Sequence, residues 1–350
     1  MTSAKKARIG IIGAGWWAAA NHIPVLQKNS DCEVVAVNRL GRDELARLKS
    51  TFAIPHAFED WREMLEKVPM DGVVVSSPHV LHHEHAAAAL AKGCHVLVEK
   101  PMTTTAADAR DLVARATAVG KEIVVPYGWN FKFWTDTAHD LVTRGEIGRV
   151  EHVVLQMGSA LEDLFAGQPM RETEGAMFRP PASTWADPKR AGGYGWGQLV
   201  HPLGLLFRIT DLEPAGVFAM AGKSPTGVDY YDAAVARFTN GATGTVSGSA
   251  TVPKHRGNQV DLRLFGSEGA LYLDIERERL EVRRRDGRDT VIPMKSGDGA
   301  YECAEPLTLL VDLCLGRKPV NRASGVVGMR SVEFLDAMYR SFESGRMEKV

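Results

Sequence analysis

Two side chains of this 350-residue sequence have the type and placement for proton chemistry. Lys100 stands in Glu99-Lys100-Pro101, directly behind Gly93-Cys94-His95-Val96-Leu97-Val98, an apolar run that reads as a strand. A lysine delivered at the carboxyl end of a central strand can hold a substrate hydroxyl and take part in proton transfer, because burial there penalises its charged form. The alternative is a lysine whose stem snorkels over the surface. His201 lies eight residues beyond the second glycine of Gly192-Gly193, in Gly192-Gly193-Tyr194-Gly195-Trp196-Gly197-Gln198-Leu199-Val200-His201. Here glycines give way to a predicted helix start with His201 about one turn inside. Imidazole, with an ordinary pKa of about 6.5, gains and loses a proton near neutrality.

A cofactor site is predicted at the start of the chain. Arg8-Ile9-Gly10-Ile11-Ile12-Gly13-Ala14-Gly15-Trp16 reads as a strand running into a glycine turn, and the residues from Trp17 to His22 read as helix. Gly13 permits the sharp turn, Gly15 lets a diphosphate approach the backbone, and Ala18 takes the place of the third glycine of a dinucleotide fingerprint. The unpaired N–H groups and positive dipole of the new helix face that diphosphate, with Trp16 and Trp17 at its edge. The second strand, Cys32 to Asn38, ends without the carboxylate that would bind both ribose hydroxyls and repel a 2′-phosphate. Asn38-Arg39, with Arg42 nearby, favours NADP over NAD. The alternative has Asn38 on an ordinary NAD ribose and Arg39 in solvent.

The elements that position these residues follow in order. A third buried strand beginning at Gly72 ends in Ser76-Ser77-Pro78, which would border the cofactor crevice. Three histidines and a glutamate follow in His82-His83-Glu84-His85, but neither His-Glu-x-x-His nor a cysteine partner is present, so no metal is expected. His82 against the cofactor, with His83 or His85 in solvent, is the better account. This strand–helix alternation implies a Rossmann dinucleotide-binding domain over residues 1–126. Residues 127–350 read as an α+β domain with a largely antiparallel open sheet, carrying turn signals at Asn240-Gly241, Ser267-Glu268-Gly269 and Asp286-Gly287. Within the second domain residues 158–195 form a long irregular stretch, and connections of that length are usually functional.

Lys plus Arg number 42 and Asp plus Glu 43, a net charge of −1, so no nucleic acid, anionic membrane or polyanionic partner is indicated. Four dispersed cysteines suit a reducing compartment. With no apolar leader or spanning run in the sequence, a cytoplasmic location is the expectation.

The chain resembles the Gfo/Idh/MocA family of glucose–fructose oxidoreductases and inositol dehydrogenases. The resemblance rests on the glycine turn, Glu99-Lys100-Pro101, Gly192-Gly193 with His201 beyond, and the sheet-rich second half. It implies that Lys100 contacts substrate and nicotinamide, that Pro101 follows a cis bond, and that His201 is the general acid/base. It also implies that Ser76, Ser77, Pro78, His79 and His82 border the cofactor, and that copies of the chain pair through the second domain's sheet as a homodimer or homotetramer. The family commonly has aspartate four residues before the histidine; here that residue is Gly197. Gln198 or Tyr194 would then orient His201, and a neutral partner predicts a lower imidazole pKa than aspartate would give. Tyr127, Asn130, Trp185, Tyr194, Trp196 and Gln198 are the expected substrate contacts, with loop anchoring as the other role for the two tryptophans. The implied activity is NAD(P)-dependent oxidation or reduction of a sugar, polyol or glycoside. The alternatives are a glycosidase cycling a bound nucleotide and a non-catalytic nucleotide sensor.

Overall fold

A computed structural model describes residues 5–170, 173–255 and 257–350. The chain divides into two compact units, the first comprising residues 1–128, 170–181 and 303–329, the second residues 129–169, 182–302 and 330–350. The first therefore extends two residues past the expected boundary and takes in two later segments, residues 170–181 and 303–329, that fall within the expected second domain.

The first unit is built on strands β1 (Ala7–Ile12), β2 (Cys32–Asn38), β3 (His56–Phe58), β4 (Gly72–Val75), β5 (His95–Val98) and β6 (Ile123–Val124). They pair in the order β3-β2-β1-β4-β5-β6, all parallel, with the order reversing beside β1. Such a sheet is covered on both faces, and its strands are accordingly continuous apolar runs: Ile9, Ile11, Val73, Val74, Val96 and Leu97 are fully buried. Side-chain caps start two of the covering helices. Asp60 accepts from Arg62 N ahead of Trp61–Lys67, and Thr105 from Asp108 N ahead of Ala106–Ala118. The helix Ala304–Cys314 belongs to this unit and lies so tightly on β4 that a Cβ at Gly72 would come within 2.6 Å of Cys314 Sγ.

The second unit carries β7 (Val150–Gly158), β8 (Pro214–Lys223), β9 (Asp229–Phe238), β10 (Thr243–Ser249), β11 (Gln259–Gly266), β12 (Gly269–Asp274), β13 (Arg279–Arg284), β14 (Thr290–Pro293) and β15 (Glu348–Lys349). They form one nine-stranded sheet, β14-β13-β12-β11-β7-β10-β9-β8-β15. All pairs are antiparallel except β7 with β10, where His152 lies opposite Thr243. The three hairpins stand at the expected turns. The insertion of β7 between β10 and β11 had no local signal, because pairing across so many residues is set by burial rather than by a turn. The irregular stretch contains the short helices Glu162–Phe165 and Ser183–Ala186 and the 3-10 turn Pro188–Arg190. Among the described residues, no helix is long and apolar enough to cross a membrane.

Candidate functional site

In the first unit, β1 ends in a turn that only glycine can make. Gly13 has φ +77°, and a Cβ there would lie 2.5 Å from Ser77 Cα, so the turn beds directly against the residues after β4. Gly15 differs: the nearest atom to a Cβ would be Gly13 O at 3.8 Å, leaving its backbone open to approach. A helix of residues 16–28 follows, beginning with Trp16 and Trp17 and passing through a π turn at Ala18–His22. Asn38 braces the turn. Its Oδ1 accepts from Gly13 N at 3.3 Å, and its Nδ2 donates to Phe58 O at 3.2 Å and Glu59 O at 2.9 Å. With both amide hydrogens engaged, Asn38 serves as a brace and has no N–H left for the NAD ribose of the alternative reading. Arg39 does not extend into solvent. Its Nη1 donates to Ala14 O at 3.2 Å, and its guanidinium lies 3.8 Å over the Phe178 ring. Its Nε is buried with no partner among the described residues, and burial lowers its pKa from the ordinary arginine value. The open backbone at Gly15 and this unspent donor fit a dinucleotide cofactor.

At the end of β5, Glu99 is locked between two neighbours. Its Oε1 meets His22 Nε2 at 2.8 Å and its Oε2 accepts from Lys100 N at 3.1 Å. Burial opposes its ionisation, but the His22 hydrogen bond, with the His22 and Lys100 charges, outweighs that and holds the carboxyl below the usual range. Burial pushes the Lys100 ammonium below the ordinary lysine value, against the opposing pull of Glu99 and Cys303. The Lys100–Pro101 bond is cis.

The turn after β4 is fixed from behind. Ser76 N donates to Ile12 O at 2.9 Å, and Pro78 opens the 3-10 turn His79–Leu81. His82, expected against the cofactor, is fully buried with Nδ1 2.7 Å from Pro101 O and Nε2 2.8 Å from Ser77 O; burial favours the neutral ring, whose single N–H donates to one of these two carbonyls. His79 packs edge-on against it at 5.8 Å. His85 is buried on Ser77 Oγ at 2.9 Å, whereas His83 pairs with Asp111 at 2.7 Å near the surface. No group of three or more metal-ligating side chains occurs among the described residues.

In the second unit, the glycines before His201 serve packing. Gly193 has φ +115°, and a Cβ there would overlap Asp229 Oδ1. Asp229 Oδ2 accepts from Gly195 N at 2.7 Å, and its Oδ1 accepts from Tyr339 Oη at 2.8 Å. Trp196 N donates to that same Tyr339 Oη at 3.3 Å, and the Trp196 ring stacks on Tyr339 at 5.1 Å and 10°. Asp232 lies beside Asp229, and burial together with the Asp229 charge pushes its carboxyl well above the usual value. A π turn, Gly195–Leu199, then leads into the helix Val200–Ile209, which carries His201 at its second position. The His201 ring meets Tyr301 edge-on at 5.0 Å and Trp129 at 6.1 Å.

Several expected contacts receive other duties here. Tyr194 is fully buried; it donates to Met157 O at 3.3 Å and accepts from Ser159 Oγ at 3.2 Å, so its hydroxyl is directed to β7 and does not orient His201. Gln198 is half-buried and makes no side-chain hydrogen bond among the described residues. Trp196 anchors its loop on Tyr339, and Asn130 is fully buried with Nδ2 on Gly204 O at 3.1 Å. Tyr127 is buried and Trp185 half-buried. A Cβ at Gly197 would lie 3.1 Å from the Phe165 ring, so packing fills the place of the missing carboxylate. Trp129 and Tyr301, the neighbours of His201, were not singled out from the sequence. Trp129 stands next to Asn130, but nothing local marks Tyr301, one hundred residues beyond His201. Phe178, His22 and Asp229 were likewise visible only once the chain was folded.

Two family models match successive parts of the chain. Residues 7–127 match the family described as "Oxidoreductase family, NAD-binding Rossmann fold", and residues 135–272 match the "GFO/IDH/MocA C-terminal domain". The D-glucoside 3-dehydrogenase of Escherichia coli K12 is 33% identical over 143 residues, a match that spans 41% of this chain and 41% of that protein. A dTDP-3,4-didehydro-2,6-dideoxy-alpha-D-glucose 3-reductase of Streptomyces antibioticus is 27% identical over 81% of this chain and 82% of its own length. Among solved structures, an oxidoreductase domain protein from Kribbella flavida shares the fold with a TM-score of 0.78 at 22% identity, covering 99% of this chain and 100% of that one.

Proposed function

Because this chain belongs to the GFO/IDH/MocA family of oxidoreductases, we propose that it moves hydride between a nicotinamide cofactor and a CH–OH carbon of a sugar, polyol or glycoside. The observation that carries the reading is Lys100, a strand-end lysine pushed toward neutrality by burial while its neighbour Glu99 is held ionised on His22. A lysine in that state can bind a substrate hydroxyl and share its proton as the C–H bond is broken. His201 takes up the hydroxyl proton in oxidation and returns it in reduction. The names of the two curated relatives, a glucoside dehydrogenase and a deoxysugar reductase, support the substrate class.

Gly13, Gly15, Trp16 and Trp17 would hold the dinucleotide at the glycine turn, with Ser76, Ser77, Pro78 and His79 along its edge. When bound, the nicotinamide supplies the hydride acceptor or donor. Arg39 favours NADP, since β2 ends without a carboxylate and the guanidinium beside it has a buried Nε still to satisfy.

Isothermal titration with NAD and NADP, followed by reduced-nicotinamide absorbance over a panel of sugars and glycosides, tests this. The expected result is NADP binding that weakens on Arg39→Ala, with absorbance growing on one class of substrate. Lys100→Met and His201→Ala should each lower kcat by about 10²–10⁴-fold. The pH profile of kcat/KM should contain an ionisation below the ordinary lysine value that Lys100→Met removes. Nucleotide binding with no net reduction on any substrate would overturn the dehydrogenase reading, and equal affinity for the two nucleotides would overturn the preference.

A further inference from the structure

The second unit contains a cavity that none of the residues expected to bind substrate lines. It has a volume of about 460 Å³ and is bounded by Trp129, Tyr301, His255, Asn258, Glu276 and Glu278 among others. That volume falls within the roughly 300–1,000 Å³ of small-molecule sites. Besides Trp129, its walls come from three loops of the sheet, those before β11, between β12 and β13, and after β14.

One wall is constructed at a cost in backbone strain. Glu278 adopts φ +51°, a left-handed conformation that costs a non-glycine residue about 1–2 kcal/mol. Its Oε1 accepts from Gly297 N at 2.6 Å and Gly299 N at 3.3 Å. Gly299 O in turn accepts from Trp129 Nε1 at 3.1 Å, and Trp129 and Tyr301 are the two rings against His201. The residues that shape the cavity therefore also position the neighbours of the histidine. Two aromatic side chains suit the C–H faces of a sugar ring. The carboxylates of Glu276 and Glu278 only accept hydrogen bonds when ionised, which suits a ring rich in hydroxyl donors and repels phosphate. Glu276 Oε1 accepts from Gln259 Nε2 at 3.1 Å, which leaves its second oxygen available to such a donor.

We propose that this cavity is a subsite for a neutral, hydroxyl-rich glycosyl ring carried by the substrate beyond the sugar that is oxidised, and that it disfavours phosphorylated sugars. The inference rests on the carbohydrate reading above, but its test does not require turnover. Isothermal titration of the full-length protein with methyl β-D-glucoside, cellobiose and glucose 6-phosphate reads binding directly. The disaccharide should bind at least about fivefold more tightly than the methyl glucoside. Glu276→Ala with Asn258→Ala, both at exposed positions, should abolish that advantage while leaving methyl glucoside affinity unchanged. Glu276→Lys should raise affinity for glucose 6-phosphate. Equal affinity for the two neutral probes, or a disaccharide advantage that survives the double substitution, would overturn the subsite. Binding of the disaccharide as expected, without reduction of nicotinamide on any substrate, would instead leave the subsite standing and overturn the dehydrogenase reading.

Discussion

Each unit holds a glycine turn that enters a helix through a π turn, at Ala18–His22 in the first and Gly195–Leu199 in the second. Such turns recur at functional sites, yet these two use glycine in opposite ways. After Gly13 has made its bend, a Cβ at Gly15 would meet only Gly13 O, at an ordinary contact distance of 3.8 Å. In the second turn a Cβ at Gly192, Gly193, Gly195 or Gly197 would crowd Trp185 O, Asp229, Met338 or Phe165 respectively. There the small residues admit neighbouring protein, so the turn that leads to His201 is closely packed. Glycine richness in a sequence thus marks close approach without saying whether ligand or protein approaches.

Substitution at the packed turn should have the largest effect. Gly193→Ala places a methyl group on Asp229 at φ +115°, combining overpacking of about 1–3 kcal/mol with about 1–2 kcal/mol of backbone strain. A fall of that size in urea-derived stability is expected, with activity lost in proportion to folding. A stability equal to wild type would mean that the turn is not held by Asp229. Gly15→Ala should behave in the opposite way. Stability should change by less than about 1 kcal/mol, because the new methyl meets nothing closer than 3.8 Å, whereas nucleotide affinity should fall about tenfold or more as the methyl obstructs the diphosphate. Unchanged nucleotide affinity in this variant would remove the distinction between the turns.

The same contrast separates what was legible in the sequence from what was not. Cys32–Asn38 matches its expected strand end to end, and the hairpin at Asn240-Gly241 stands where its dipeptide predicts, because burial on both faces and a demanding turn geometry leave local signatures. The roles of Asn38 and His82 were not legible. An amide and an imidazole read as cofactor ligands by position, but folded they find backbone carbonyls and spend their hydrogen bonds within the protein. Tyr194 and Trp196 likewise look like sugar platforms in a glycine-rich stretch until Met157, Ser159 and Tyr339, all distant in sequence, claim them. Motif spacing identifies where ligand chemistry is concentrated; long-range packing decides which of its polar groups remain available.

The smallest effect concerns how the second turn is held. Asp229 accepts from Gly195 N and Tyr339 Oη, while Asp232, buried beside it, has its carboxyl raised well above the usual value by burial and by the Asp229 charge. Two coupled buried carboxyls titrate as a unit, so the raised value belongs to the pair. Between the ordinary aspartate value and the raised value of the pair, the folded chain retains a proton that the unfolded chain has released, so stability falls as pH rises through that window. Asp232→Asn supplies a permanently neutral partner and removes that titration. The variant should fold at least as stably near neutrality, and its stability should decline less with pH, by at most about 1.4 kcal/mol for each pH unit. Urea titrations at several pH values would measure the two slopes. Parallel slopes would show that the turn beneath His201 is pinned by Asp229 and Tyr339 alone, without a shared proton; a flatter slope in the variant would make its rigidity a function of pH, a property with no counterpart in the open turn at Gly15.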